Sequence, residues 1–190
     1  AAGDQVLVAE FGDRIDEAVN DQVHALAAKI EEQQIPGIGE VVPTFRSLLI
    51  YYDSYQLSYR EAAGKIEELA RNLKTEQKTK KRILKIPCCY GARFGPDLAD
   101  MEQLTGLDRK EMIDIHSSVD YKVYMLGFLP GFAYLGGLDE RIQVPRLKSP
   151  RRKISRGAVG IGGSQTGIYP MDSPGGWRLM GETPIDMYDP

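Results

Sequence analysis

The glycines and prolines of this 190-residue chain are unevenly placed: 12 of the 20 glycines and 7 of the 11 prolines fall within residues 121–190. Inside a helix a glycine costs about 1 kcal/mol and a proline about 3 kcal/mol. The last third is therefore expected to be short strands and turns, whereas the first 120 residues carry helical periodicity. Two differently built halves follow, in a chain long enough to bury a core without covalent staples. Its two cysteines, Cys88 and Cys89, are adjacent. Neighbouring thiols do not reach ordinary disulfide geometry, and they leave no cysteine-based zinc site. No apolar run approaches the ~20 residues that cross a bilayer. A net charge of −3 speaks against a general nucleic-acid binder.

The first half reads as alternating elements. Gln5 to Phe11 is a short apolar strand stopped by Gly12. Ile15, Val19, Val23, Leu26 and Ile30 recur on one face of a helix that stops before Pro36-Gly37. Strands are predicted at Ile38–Val42 and Ser47–Tyr52. Ser58 and Glu61 then form a capping box that opens a helix with Ala62, Ile66, Leu69 and Leu73 on its face. A basic stretch, Lys74 to Lys85, leads into a strand predicted at Arg82–Cys88; Lys78, Lys80, Lys81 and Arg82 read as a solvated connection. The order βαββαβ over residues 1–88 is the ferredoxin-like arrangement, a two-layer α+β unit. Pro96-Asp97 starts a short helix stopped by Gly106, and Asp108 with Glu111 opens another that reaches His116. From Tyr121 short strands, among them Lys122–Phe128 and Ala158–Ile161, alternate with Gly and Pro turns, so residues 89–190 suit a β-barrel or sandwich.

Four segments hold residues with chemistry to offer. Gly127 to Leu135 gathers Phe128, Phe132 and Tyr134 around a Pro-Gly turn. Phe128 is expected in the core, and Gly131 in a pocket wall where the backbone approaches a ligand. Arg146, Lys148, Arg151, Arg152, Lys153 and Arg156 place six cations in eleven residues with no acid, and a guanidinium among them suits a carboxylate or phosphate. Gly160 to Gly167 is glycine-rich but lacks the phosphate-loop pattern and a following helix; its Gln165 and Thr166 offer neutral hydrogen bonds to an amide or carboxyl group. Ser173-Pro174-Gly175-Gly176-Trp177 reads as a tight turn before a buried tryptophan. Of the two histidines, His24 is structural or on the surface. His116, at a helix end, is a cap, a general base or an anion ligand. No H-E-x-x-H or G-x-S-x-G pattern occurs, and no metal site is expected in this chain.

Several of these strings occur together in one family. They are G-F-x-P-G-F-x-Y-L-G-G-L from Gly127, Pro145-Arg146, S-P-R at 149–151, G-x-Q-T-G-I-Y-P from Gly163 and S-P-G-G-W from Ser173. To these are added C-Y-G-x-x-F-G-P-D-L from Cys89, I-H-S from Ile115 and E-F-G-D from Glu10. In them the chain resembles the family of bacterial 5-oxoprolinase B subunits, also known as the kinase A inhibitor or allophanate hydrolase small-subunit family. The resemblance implies a ferredoxin-like N-terminal subdomain and a cyclophilin-like β-barrel. It implies partnership with a homologous larger C subunit, together with an A subunit. The implied reaction is an ATP-dependent opening of a small lactam, 5-oxo-L-proline, to L-glutamate, with Mg2+ accompanying the ATP. Related activities in the family are inhibition of a sporulation sensor histidine kinase and carboxyl transfer in urea carboxylases. The groove residues it implies are His116, Gly131, Phe132, Arg146, Arg151, Gln165, Thr166, Tyr169, Pro174 and Gly175. Arg146 or Arg151 would neutralise a phosphoryl group, Gln165 orient the amide, and His116 handle protons. Family members continue past Met187–Pro190 with a further strand, so the barrel is expected to be open at that end. With no signal peptide visible at the N-terminus, the expected location is the cytoplasm.

Overall fold

The computed structural model describes residues 3–73 and 82–189, and the chain divides into two compact units, residues 1–81 and 82–190. The first unit contains β1 (Val6–Glu10), α1 (Glu17–Gln33), β2 (Ile38–Pro43), β3 (Ser47–Tyr52) and α2 (Tyr59–Arg71). Its antiparallel sheet has the order β1-β3-β2. Strand alternation turns Leu48 and Ile50 of β3 toward the core, where they meet Val23, Leu26 and Ile30 of α1 and Ile66 of α2. Asp16 caps α1 by accepting from the Ala18 and Val19 amides. The helix thus begins after Ile15, which is 52% exposed rather than on the buried face. At α2 both halves of the Ser58–Glu61 capping box are made.

The strand expected at Arg82–Cys88 does not form, so among the described residues the first sheet has three strands and the unit is βαββα. The cause lies in the residues themselves. Ile83 and Leu84 are consecutive and therefore cannot share one face of a strand, and Pro87 has no N–H to donate. Ile83 and Leu84 are both exposed. Lys74, Lys78, Lys80 and Lys81 of the basic run lie outside the described residues.

The second unit contains β4 (Cys89–Tyr90), α3 (Leu98–Thr105), α4 (Arg109–Ser117), β5 (Lys122–Leu126), β6 (Ala133–Gly136), β7 (Arg151–Ile154), β8 (Ala158–Gly162), β9 (Gln165–Ile168), β10 (Ser173–Gly175) and β11 (Arg178–Glu182). Gly106, left-handed at φ 74°, ends α3, and Asp108 caps α4 by accepting from the Glu111 amide. Six strands form an antiparallel sheet in the order β4-β11-β8-β9-β6-β5, and β7 pairs separately with β10. One face of the large sheet packs Val159, Ile161 and Met180 against Leu98, Met101, Met112 and Ile115 of the two helices. The other gathers Phe132, Ile154, Tyr169, Trp177 and Leu179. This is the α+β class with the β-rich second unit that the sequence implies, but among the described residues the sheet is not closed into a barrel. Its end strand β4 has only two residues, too short to carry a closing ladder. No helix among the described residues is long and apolar enough to cross a membrane.

Candidate functional site

Strand alternation decides which of the singled-out residues meet. Along β9, Thr166 and Ile168 face the helices, while Gln165 and Gly167 face the aromatic cluster. Thr166 is bonded to His116 of α4, and a Cβ on Gly167 would lie 3.0 Å from Trp177 and 3.2 Å from Phe132. His116 and Gln165 therefore sit on opposite faces of one sheet, because Gln165 and Thr166 are neighbours on a strand.

On the helix side, His116 is 6% exposed and fully engaged. The Thr166 hydroxyl donates to Gly160 O at 3.0 Å, so it accepts from His116 Nε2–H at 2.8 Å. The other nitrogen, Nδ1, then accepts from the Tyr90 hydroxyl at 2.7 Å. Tyr121 Oη donates to the His116 carbonyl at 2.8 Å. Burial pushes the imidazole down to about 4 and the Tyr121 phenol up to about 12. Burial also raises Tyr90, and takes the Cys88 thiol, which shares the Tyr90 hydroxyl, up to about 11. His116 at neutral pH is thus an uncharged strut joining β4, α4 and β9.

The aromatic side is organised around Phe132, 1% exposed. Its ring makes edge contacts with Tyr134 at 4.9 Å, Tyr169 at 5.3 Å, Trp177 at 5.5 Å and Phe128 at 5.6 Å between centroids. Glycines 160, 162 and 167 make the room: a Cβ on Gly162 would lie 2.5 Å from Trp177 Nε1. The glycine-rich segment thus seats an indole and cradles no phosphate. Arg146 lies over the Trp177 ring at 5.7 Å. Arg151, paired with Gly175 across the β7–β10 ribbon, donates from Nη2 to Asp97 Oδ1 at 2.5 Å. Asp97, almost fully buried, accepts from the Leu179 amide through Oδ2 at 2.7 Å. Burial raises the Tyr169 phenol, against the pull of the Trp177 backbone N–H and of the Arg146 and Arg151 charges. A Cβ on Gly175 would lie 2.4 Å from Tyr169 Oη, and the next residue back, Pro174, is exposed.

Phe132, Arg146, Arg151, Tyr169 and Gly175 are therefore brought together, Gln165 shares their face of the sheet, and His116 with Thr166 stands on the other. One expectation, a core position for Phe128, is overturned. Phe128 is 58% exposed, with a left-handed backbone at φ 68° that turns it outward at the tip of the β5–β6 hairpin. Gly131, left-handed at φ 78°, is approached by the chain itself: a Cβ there would lie 2.8 Å from Tyr188 Cβ and 2.9 Å from Met187 O.

Three donors on the aromatic half are buried without a hydrogen-bond partner among the described residues: Arg151 Nη1, Gln165 Nε2 and Ser173 Oγ. A buried donor left unpaired costs about 1–3 kcal/mol, so these three are the polar groups of this half that the chain itself leaves unsatisfied. Sequence reading missed Asp97, which serves Arg151 rather than capping α3, and Ser173. Asp97 lies within the C-Y-G-x-x-F-G-P-D-L string, but nothing local connects it to an arginine 54 residues on. A cleft of about 260 Å³ beside the Ser155–Gly157 turn is lined by Arg156 of the basic segment but by none of the groove residues that the resemblance implies. Among the described residues no three His, Cys, Asp or Glu side chains are grouped as metal ligands.

The second unit thus presents an open antiparallel sheet with helices on one face and an arginine-rimmed aromatic cluster on the other. The chain belongs to the family described as carboxyltransferase domain, subdomain C and D, which it matches over residues 1–190. Among its relatives, the 5-oxoprolinase B subunit of Bacillus subtilis strain 168 is 44% identical over 99% of this chain and 82% of its own length. The 5-oxoprolinase B subunit of Escherichia coli O157:H7 is 36% identical over 99% of this chain and 85% of its own. The crystal structure of TTHA0988 superposes with a TM-score of 0.86 at 34% identity over 97% of this chain. This chain spans only 36% of that one.

Proposed function

We propose that this chain is the B subunit of an ATP-dependent 5-oxoprolinase, acting in the cytoplasm with an A subunit and a homologous larger C subunit. Carrying this reading is the match, along almost the whole chain, to relatives named as the 5-oxoprolinase B subunit. A lactam resists water because its nitrogen delocalises into the carbonyl. Phosphoryl transfer from ATP, with Mg2+ on its phosphates, to the lactam oxygen would remove that resistance. Water would then add to the ring carbon, and the C–N bond would open to free the amine and leave a side-chain acyl phosphate. A second water would hydrolyse that acyl phosphate to inorganic phosphate and the side-chain carboxylate of glutamate. Arg146 and Arg151 would neutralise the charge on the transferred group. The unpartnered Gln165 amide would donate to a carbonyl or carboxylate, while Phe132, Tyr169, Pro174 and Gly175 would shape the wall. His116 is given no proton-handling role, since both its ring nitrogens are engaged. Carboxyl transfer is the second reading, favoured by the family's description; it would use the same cations on a carboxylated substrate.

The test is ADP release by the full-length gene product mixed with homologues of its A and C partners, with and without 5-oxo-L-proline. Release is expected to require the lactam and all three proteins, and to form glutamate. Arg146→Ala is expected to lower kcat at least tenfold, and Arg151→Lys, which keeps a cation beside Asp97, to lower it less. Folded proteins that release no lactam-dependent ADP would overturn the reading.

A further inference from the structure

The first unit has a feature that neither its core nor the site above requires. At the end of β3 the turn 53–57 opens a cavity of about 380 Å³ lined by Gln5, Gly39, Tyr51, Tyr52, Asp53 and Tyr55. Tyr55 is 95% exposed and Tyr51 41%, and neither ring belongs to a core cluster. Gly39 explains why one ring is bare. An irregularity in the β2–β3 pairing between Ile38 and Val41 places Gly39 alongside Tyr51, where even a Cβ would lie 3.8 Å from Tyr51 Cβ, so no side chain covers that flank.

Asp53 is held rigidly in the same wall. Its Oδ1 accepts from the Tyr55 amide at 2.9 Å, its Oδ2 from Gln56 Nε2 at 2.7 Å, and its carbonyl from the Gln56 and Leu57 amides at 3.0 Å. Each carboxylate oxygen keeps a lone pair. These hydrogen bonds hold the carboxyl below the usual carboxylate range, first through Gln56 and then through the Tyr55 amide. Tyr52 is fixed behind it by donating to the Asp4 carbonyl at 2.8 Å. None of the described lining residues is cationic.

An ionised, preoriented carboxylate beside two accessible phenol rings is the chemistry that recognises an organic cation, by ion pairing at one edge and by the negative ring faces elsewhere. We propose that this cavity binds a guanidinium group, whose flat fork both pairs with a carboxylate and stacks on an aromatic ring. Such a group comes either from a free arginine-sized molecule or from an arginine side chain presented by a partner protein.

The experiment is an amide-shift titration of the isotope-labelled full chain with two probes, N-ethylguanidinium chloride and the capped tripeptide acetyl-Gly-Arg-Gly-amide. The tripeptide with Gln in place of Arg serves as control. Saturable shifts are expected at Tyr51, Asp53, Tyr55 and Gln56 with both guanidinium probes and not with the control. Tyr55→Ala, which removes an almost fully exposed ring and spares the fold, is expected to weaken binding at least fivefold, and Tyr55→Phe to restore it. Asp53→Asn is expected to weaken it further. Tighter binding of the peptide than of ethylguanidinium marks a protein partner as the source; equal binding marks a small molecule. Shifts that are absent, that do not saturate, or that persist unchanged in Tyr55→Ala overturn the proposal.

Discussion

Between Tyr90 and Thr166 the His116 imidazole has neither a lone pair nor a proton left to give. That arrangement has a consequence for stability. An unfolded histidine titrates near 6.5, whereas burial holds this one down to about 4. Between those values the unfolded chain takes up a proton that the folded chain refuses. The stabilisation is therefore complete above about pH 6.5, falls with a slope approaching 1.4 kcal/mol per pH unit as pH drops, and levels off below about pH 4. Urea unfolding at pH 7 and pH 5, compared between the parent and His116→Gln, isolates this contribution. The parent is expected to lose more stability than the variant, and equal losses would show that His116 is not the group responsible. Nothing local announces this role. His116 sits at a helix end, where a cap or a base reads equally well, and its partners lie 26 residues before it and 50 after. Phe128 fails for a similar reason: its apolar side chain argues for burial, but the left-handed backbone of the hairpin tip turns it outward.

Elements held together by near neighbours are the legible ones. The helices α1, α2, α3 and α4 follow from caps and from period, both of which act within a turn or two of the chain. The strand at 158–161 is legible as a strand, but the face its glycines serve is not, because Trp177 comes from a segment that follows β9. That packing makes a specific prediction. At Gly162 a methyl group would lie 2.5–2.6 Å from three indole atoms of Trp177, closer than real side chains approach. The indole cannot swing aside freely, since Phe132 stands 5.5 Å and Tyr134 6.0 Å away between ring centroids. Gly162→Ala is expected to destabilise the second unit by about 1–3 kcal/mol, the usual cost of overpacking. Emission from Trp177, the only tryptophan in the chain, should shift to the red as the ring is displaced toward water. An unchanged midpoint with unchanged emission would mean that the aromatic face is loosely packed. The segment Arg82–Cys88 is the converse case: β-rich composition without alternation, and a proline where the ladder needs a donor.

Over the whole molecule, the two units differ in which strands are held on both sides. In the first, β3 lies between β1 and β2; in the second, β11, β8, β9 and β6 each lie between two neighbours, with β8 and β9 at the centre. The ends of the larger sheet are β4, of two residues, and β5, which leaves Val123 and Leu126 exposed. The family resemblance implied a barrel at this place, and a barrel differs from an open sheet in one physical respect: it has no edge strands. Hydrogen exchange reads that difference directly, because an amide in a strand paired on both sides opens only in large, costly events, whereas an edge amide frays. The slowest-exchanging amides are expected in β3 and in β8 and β9, with β5 and the β7–β10 ribbon exchanging at least a hundredfold faster. The comparison within β5 is the sharpest, since hydrogen bonds to β6 protect only the residues facing that neighbour, leaving alternate amides of Lys122–Leu126 open on the outer side. Uniform protection along β5, at the level of β8, would require a strand on its outer side and would return the closed barrel that this sheet lacks.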